Sequence, residues 1–165
     1  EVTKSLAQYF RLALNQGHEQ ISLRDEIDHV RQYLFIQKQR YGDKLQYEIE
    51  EDESIADYKL PKLVLQPLVE NAIYHGIKEI DRQGMIRVTS VAEERQLILS
   101  IYDNGRGFDV KTSMDATLLR LGGVGLKNVD QRLRLQFGDD YHMEIQSEPD
   151  KFTQISLYLP LVADD

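Results

Sequence analysis

Residues 65–77 read LQPLVENAIYHGI, and the reading of this stretch decides the rest. Leu65, Leu68, Val69, Ala72 and Ile73 recur at helical spacing and predict one face turned to a core. Into this apolar run are set Glu70, Asn71 and His75, followed at once by Gly76. Asn71 and His75 stand one helical turn apart, so they leave the helix on the same side. A largely buried helix with a carboxylate, an amide and an imidazole near one face predicts a wall of a polar site. Pro67 falls inside the run and must kink the helix or mark its true start.

Size and composition narrow what that site can serve. A chain of 165 residues can bury one sizeable core, with room for a helical appendage. The net charge of −8 argues against a nucleic-acid surface, which needs clustered Lys and Arg to displace counterions. With no cysteine there is neither a disulfide framework nor a thiolate metal site. No apolar run approaches the roughly 18–20 residues of a membrane span, so these residues are not expected to cross one. The chain opens at Glu1 inside a helical pattern and is expected to be a piece of a longer protein.

Upstream of the central stretch, a helix is predicted over residues 2–16. A second follows from an N-cap at Ser22, with Asp25 and Glu26 in its first turn, and stops at Gly42. Its stripe is Leu23, Ile27, Val30, Leu34 and Tyr41. Leu45, Tyr47 and Ile49 alternate with polar residues as a half-buried strand does, and Pro61 is expected to open the central helix. Beyond Gly84, two alternating runs around Glu93–Gln96 predict a hairpin whose second strand enters Asp103-Asn104-Gly105-Arg106-Gly107-Phe108. Residues 109–121 carry no pattern. Gly122-Gly123-Val124-Gly125 then opens a helix with Leu126, Val129, Leu133 and Phe137 on one face. Residues 141–147 and 152–159 predict a closing strand pair. Hairpins alternating with helices favour an α+β sandwich, a mixed sheet covered by helices on one face.

Three clusters need a common explanation: Glu70–Gly76, Asp103–Gly107 and Gly122–Asn128. Each alone reads as a core helix or an ordinary turn. Together their chemistry fits one ligand. A carboxylate at a strand end suits an exocyclic amine such as that of adenine, and Gly105 and Gly107 let backbone approach a flat base. The helix start at Gly123-Val124-Gly125 offers N–H groups to phosphate. Asn71 offers a neutral oxygen to Mg²⁺, and Glu70 a carboxylate to orient or deprotonate an attacking group. Neither a P-loop nor a dinucleotide fingerprint occurs.

ENAIYHGI resembles the N box of the GHKL ATP-binding domains found in histidine kinases, DNGRGF their G1 box, and GGVGLKN their G2 box. The three stand in the family's order, and Thr153 in FTQISLYLP resembles the threonine that helps hold adenine there. ISLRDEI, YLFIQKQRYGDKL and GLKNVDQRLRLQFG are similar to the LytS/YesM class of sensor histidine kinases. The resemblance covers residues 21–160.

The resemblance implies a Bergerat-type two-layer α/β sandwich binding Mg-ATP, with residues 109–121 as a lid. It implies Asn71 as Mg²⁺ ligand, Glu70 and Asn71 as the catalytic pair, and Asp103 as partner of the adenine amino group. His75, Gly76, Lys78, Gly105, Gly107, Gly123, Val124, Gly125, Leu126, Asn128 and Thr153 complete the expected nucleotide contacts. Residues 1–42 would be the trailing part of the dimerisation helices and residues 43–165 the catalytic domain. The implied parent is a homodimer at a bacterial cell membrane, with this domain on the cytoplasmic side and a response regulator as partner. None of His18, His29, His75 and His142 has the context of the family's acceptor histidine, so the acceptor is expected upstream of this chain. Leu121 replaces the first glycine that many members have in the G2 box. A catalytically silent ATP-binding module and a GHKL ATPase of the chaperone or DNA-repair kind are the alternatives.

Overall fold

In the computed structural model, residues 2–6, 20–110 and 124–161 are described. The elements after a helical stretch at 2–6 are β1 (Gln20–Ser22), α1 (Leu23–Tyr41), β2 (Leu45–Glu50), β3 (Lys59–Pro61), α2 (Leu65–Asn71), β4 (Gly84–Glu93), β5 (Gln96–Asp103), α3 (Val124–Phe137), β6 (His142–Glu148) and β7 (Phe152–Pro160). Five strands form one sheet in the order β2-β4-β5-β7-β6. β2 runs parallel to β4, and every other pairing is antiparallel. β1 and β3 make a separate two-stranded ribbon. The expected mixed sheet with helices is thus the architecture found.

Strand periodicity sets which residues meet the helices. Leu97, Leu99, Ile101 and Asp103 share one parity on β5 and are buried, as are Thr153, Ile155, Leu157 and Leu159 on β7. Asp103 is therefore the last member of an inward-facing apolar row, and its pairing partner across the ladder is Thr153. The opposite face is half-buried and carries ring stacks of Tyr102 on Phe152 and of His142 on Tyr158. α1, α2 and α3 all contribute to a single hydrophobic cluster with the inward strand residues. From α1 these are Leu23, Ile27, Val30 and Leu34 of the expected stripe together with Tyr33, while Tyr41 packs against the cluster only partly buried.

Local signals explain most boundaries. The Ser22 side chain accepts from the Asp25 N–H and caps α1, and Gly42 at φ +57° closes it with a bond to the Lys38 carbonyl. The β4–β5 hairpin turns at Glu94, which adopts φ +47°. The expected opening of the central helix at Pro61 is not what occurs. Pro61 ends β3, opposite Gln20, and the helix begins at Leu65. Pro67 then lies in the first turn, where the missing N–H costs nothing, so the second proline marks the true start.

α2 is short because its α-helical hydrogen bonding changes. From Ala72 to Ile77 the backbone winds as a π-helix, and the Lys78 N–H donates to the Ile73 carbonyl five residues back. Such a widened turn inside a helix re-aims side chains without ending the element. It occupies the very residues that carry His75 and Gly76. The expected lid from residue 111 onward and the expected first helix beyond residue 6 fall outside the described residues, as do Leu121, Gly122 and Gly123.

Candidate nucleotide-binding site

The site grows from the contact between the π turn and the end of β5. Glycine is required on both sides of it. A Cβ on Gly76 would stand 2.4 Å from an Asp103 carboxylate oxygen, and one on Gly105 would stand 2.3 Å from the Gly76 backbone. The turn after β5 therefore lies directly against the helix. Gly107 adopts φ +60°, and a Cβ there would meet the Glu148 carbonyl at 2.0 Å. The Arg106 N–H donates to the Gly76 carbonyl at 3.3 Å, and the Arg106 carbonyl accepts from Asp150 at 2.6 Å. The turn is thus sewn to the helix on one side and to the β6–β7 hairpin on the other.

Two further side chains hold it. One Arg82 Nη2 donates to the carbonyls of Asn104 (2.5 Å), Gly105 (3.1 Å) and Asp150 (3.1 Å). The Ser147 hydroxyl accepts from the Phe108 N–H at 2.9 Å, donates to the Phe152 carbonyl at 2.8 Å and lies 2.8 Å from the Thr153 hydroxyl. Neither residue stands in a recognisable motif, so the sequence gives no signal for them.

This frame encloses a cavity of about 490 Å³, within the range of small-molecule sites. Asn71, His75, Gly76, Asp103, Gly107 and Thr153 line it, as the sequence predicts. Arg106, Phe108, Asp109 and Pro149 join them unpredicted, all within or facing the turn. A second cavity of about 190 Å³ is bordered by Glu70, Tyr74, Pro67, Gly125 and Leu126. Asn71 and His75 line both. These two residues therefore mark the boundary between a chamber at Asp103 and a chamber at Glu70 and the start of α3. Lys78 and Asn128 are exposed and line neither cavity. The Lys78 ammonium sits over the Tyr74 ring instead, at 5.8 Å. Val124 begins α3, and Gly123 lies outside the described residues.

Asp103 and Asn71 make the site rich in buried acceptors. Asp103 is 3% exposed, and burial pushes its carboxyl up to about 7 against the opposing hydrogen bond from the Gly105 N–H. One of its oxygens is taken by that bond at 2.9 Å. Asn71 is 7% exposed, and its Oδ1 is buried without a hydrogen-bond partner among the described residues. Such an orphaned acceptor is costly unless something else satisfies it. A hard cation would do so, and the neutral amide oxygen is a suitable donor. Glu70 accepts from Gln66 Nε2 at 2.9 Å, one turn back along α2. Among the described residues no group of three or more His, Asp or Glu could cage a metal, so a cation here would depend on its ligand for most of its shell.

Residues 56–163 match the family described as "Histidine kinase-, DNA gyrase B-, and HSP90-like ATPase", and residues 1–45 match one described as "Histidine kinase". The chain is 37% identical to sensor histidine kinase BtsS of Escherichia coli (strain K12) and 31% identical to sensor histidine kinase YesM of Bacillus subtilis (strain 168). Both similarities cover 97% of this chain but only 27% of the relative. In fold it is similar to the histidine kinase domain of the blue-light activated kinase EL346 of Erythrobacter litoralis. That match has a TM-score of 0.64 at 15% identity and covers 97% of this chain and 78% of that one. Among the described residues no helix is long and apolar enough to cross a membrane. The resemblance carried by ENAIYHGI, DNGRGF and GGVGLKN is borne out: the chain belongs to the histidine kinase-, DNA gyrase B- and HSP90-like ATPase family.

Proposed function

We propose that this chain is the ATP-binding catalytic domain of a two-component sensor histidine kinase. It would carry the γ-phosphoryl group of ATP to a histidine on an upstream helix, for relay to an aspartate of a response regulator. The observation that carries the reading is the buried, unpartnered Asn71 Oδ1 at the junction of the two cavities. An unpaired buried acceptor at that junction suits a divalent cation, which Asn71 would hold and which would supply charge neutralisation beside the phosphates.

In this reading the adenine amino group donates to Asp103, whose carboxylate is already oriented by the Gly105 N–H. The ligand's hydrogen bond favours the charged form that burial disfavours. Thr153, held by Ser147, supports the base from β7. His75 and the Arg106 turn border the path of the phosphates, and the α3 start at Gly125 offers backbone N–H groups to them. Mg²⁺ bound at Asn71 would neutralise charge on the phosphate oxygens. Glu70 in the smaller chamber orients the acceptor imidazole and takes its proton as the phosphoryl group arrives. Most of the rate in such transfer comes from positioning and charge neutralisation.

The division into a helical segment over residues 1–42 and a catalytic domain over residues 43–165 is part of the same proposal, and the two family matches support it. So are a homodimeric, membrane-anchored parent, with this domain on the cytoplasmic side, and its response regulator, by analogy with the sensor kinases named above. Phosphotransfer from ATP to a supplied acceptor-helix protein tests the reading. Asn71→Ala and Glu70→Gln should each lower transfer at least tenfold while the chain stays folded. Full transfer by Asn71→Ala would overturn the metal role, and ATP binding without transfer by the unmodified domain would favour a silent module.

A further inference from the structure

Glu26 is a fully buried carboxylate that no part of the nucleotide reading uses. It lies in the first turn of α1, yet its bonds go to another element. Its Oε1 accepts from the N–H groups of Val64 (2.6 Å) and Leu65 (2.9 Å), and its Oε2 from that of Leu63 (3.2 Å). These are the donors at and just before the start of α2. That helix has no side-chain cap of its own, because Val64 cannot supply one. Leu63 is held at φ +56°, a conformation that a branched apolar residue adopts only when its surroundings impose it. The carbonyls of the same turn are taken from the other side. Arg132 of α3 donates to Lys62 and to Leu63, the latter at 3.4 Å.

One turn of chain is thus clamped between a carboxylate of α1 and a guanidinium of α3. α2 leaves this clamp and reaches Asn71 about 9 Å further on, at about 1.5 Å per residue. α2 and α3 also supply opposite walls of the smaller cavity, Glu70 and Asn71 on one and Gly125 and Leu126 on the other. Asp103 and Thr153, by contrast, are carried by the sheet and owe nothing to the clamp.

We infer that Glu26 is a positioning residue for the phosphate end of the nucleotide site: by holding the uncapped start of α2, it sets where Asn71 and Glu70 stand relative to α3. The inference rests on the proposed Mg-ATP reading of that site. It makes α1 the element through which any displacement of the preceding segment reaches Asn71.

Calorimetric titration with ATP, in Mg²⁺ and in EDTA, separates this role from a merely structural one. In the unmodified chain Mg²⁺ strengthens ATP binding. In Glu26→Gln, which keeps the shape but loses the charge and one acceptor, the gain from Mg²⁺ falls by about fivefold, a typical size for indirect coupling. Affinity in EDTA stays within about twofold, since the adenine contacts at Asp103 and Thr153 are carried by the sheet. A loss of stability alone would leave the Mg²⁺ gain unchanged well below the melting temperature, and that result overturns the inference. Arg132→Gln releases the same turn from the other side and should shift the gain in the same direction. Should Glu26→Gln fail to fold, an unchanged gain in Arg132→Gln overturns the inference in its place. An unmodified chain whose ATP affinity ignores Mg²⁺ overturns the metal reading and this inference with it.

Discussion

Replacing Asp103 by asparagine should remove most of a pH dependence that the buried carboxyl builds into folding. In the folded chain this group is pushed up to about 7, against an ordinary aspartate value of 3.8. Because the folded value is the higher one, the group's contribution to stability is complete below pH 4 and is lost as pH rises through about 7. Linkage with these two values gives about 2.7 kcal/mol at pH 5 and less than about 0.1 kcal/mol at pH 8. The unmodified chain should therefore lose about 2.5 kcal/mol from this one group between those pH values. Asp103→Asn keeps an oxygen for the Gly105 N–H and has no proton to release. Urea unfolding of both proteins at pH 5 and pH 8 measures the difference of differences. Burial also raises Glu26 and lowers His29, but both are common to the two proteins and cancel. With a urea dependence of about 2 kcal/mol per molar, the midpoint of the unmodified chain should fall about 1 M further than that of Asp103→Asn. Equal midpoint shifts in the two proteins would refute the claim that desolvation at the end of β5 controls this carboxyl.

Other substitutions test the frame. Gly105→Ala forces a methyl into the Gly76 backbone and should cost about 1–3 kcal/mol in urea unfolding. Gly125→Ala, whose Cβ would meet among the described residues only Pro67, at 3.7 Å, should be neutral or slightly stabilising at the start of α3. Arg82→Gln should loosen the turn after β5 by about 1 kcal/mol. Amide exchange at the Asp150 N–H, which bonds across that turn, should speed up accordingly.

Much of this was legible in the chain because local rules and the fold agree. Strand periodicity placed Leu97 to Asp103 on one face, and the inward parity of Asp103 follows from counting by twos. Ser22 and Gly42 bounded α1, and the apolar stripe of that helix fell where expected. Pro61 misled because a proline at a strand end and one at a helix start look alike in sequence; the pairing with Gln20 decides between them. The π turn at Ala72–Ile77 has no sequence signature, although Gly76 within it was marked as special. Lys78 and Asn128 were assigned by family position alone, and the winding of their helices leaves both facing solvent. Glu26 looked like an ordinary acidic residue in a first helical turn. Only the long-range approach of residues 63–65 reveals what its charge is for. Arg82 and Ser147 escaped for the same reason, since backbone carbonyls and hydroxyls distant in sequence are invisible to pattern.

We propose that the cavity between the π turn and the end of β5 receives the adenine of ATP through Asp103. Calorimetric titration of ATP into the unmodified chain and into Asp103→Ala, at one pH and in Mg²⁺, tests it most directly. A hydrogen bond to a charged group is worth about 1.5–3 kcal/mol, so Asp103→Ala should lose about 10- to 100-fold in affinity. ATP binding of equal strength in the two proteins would contradict it.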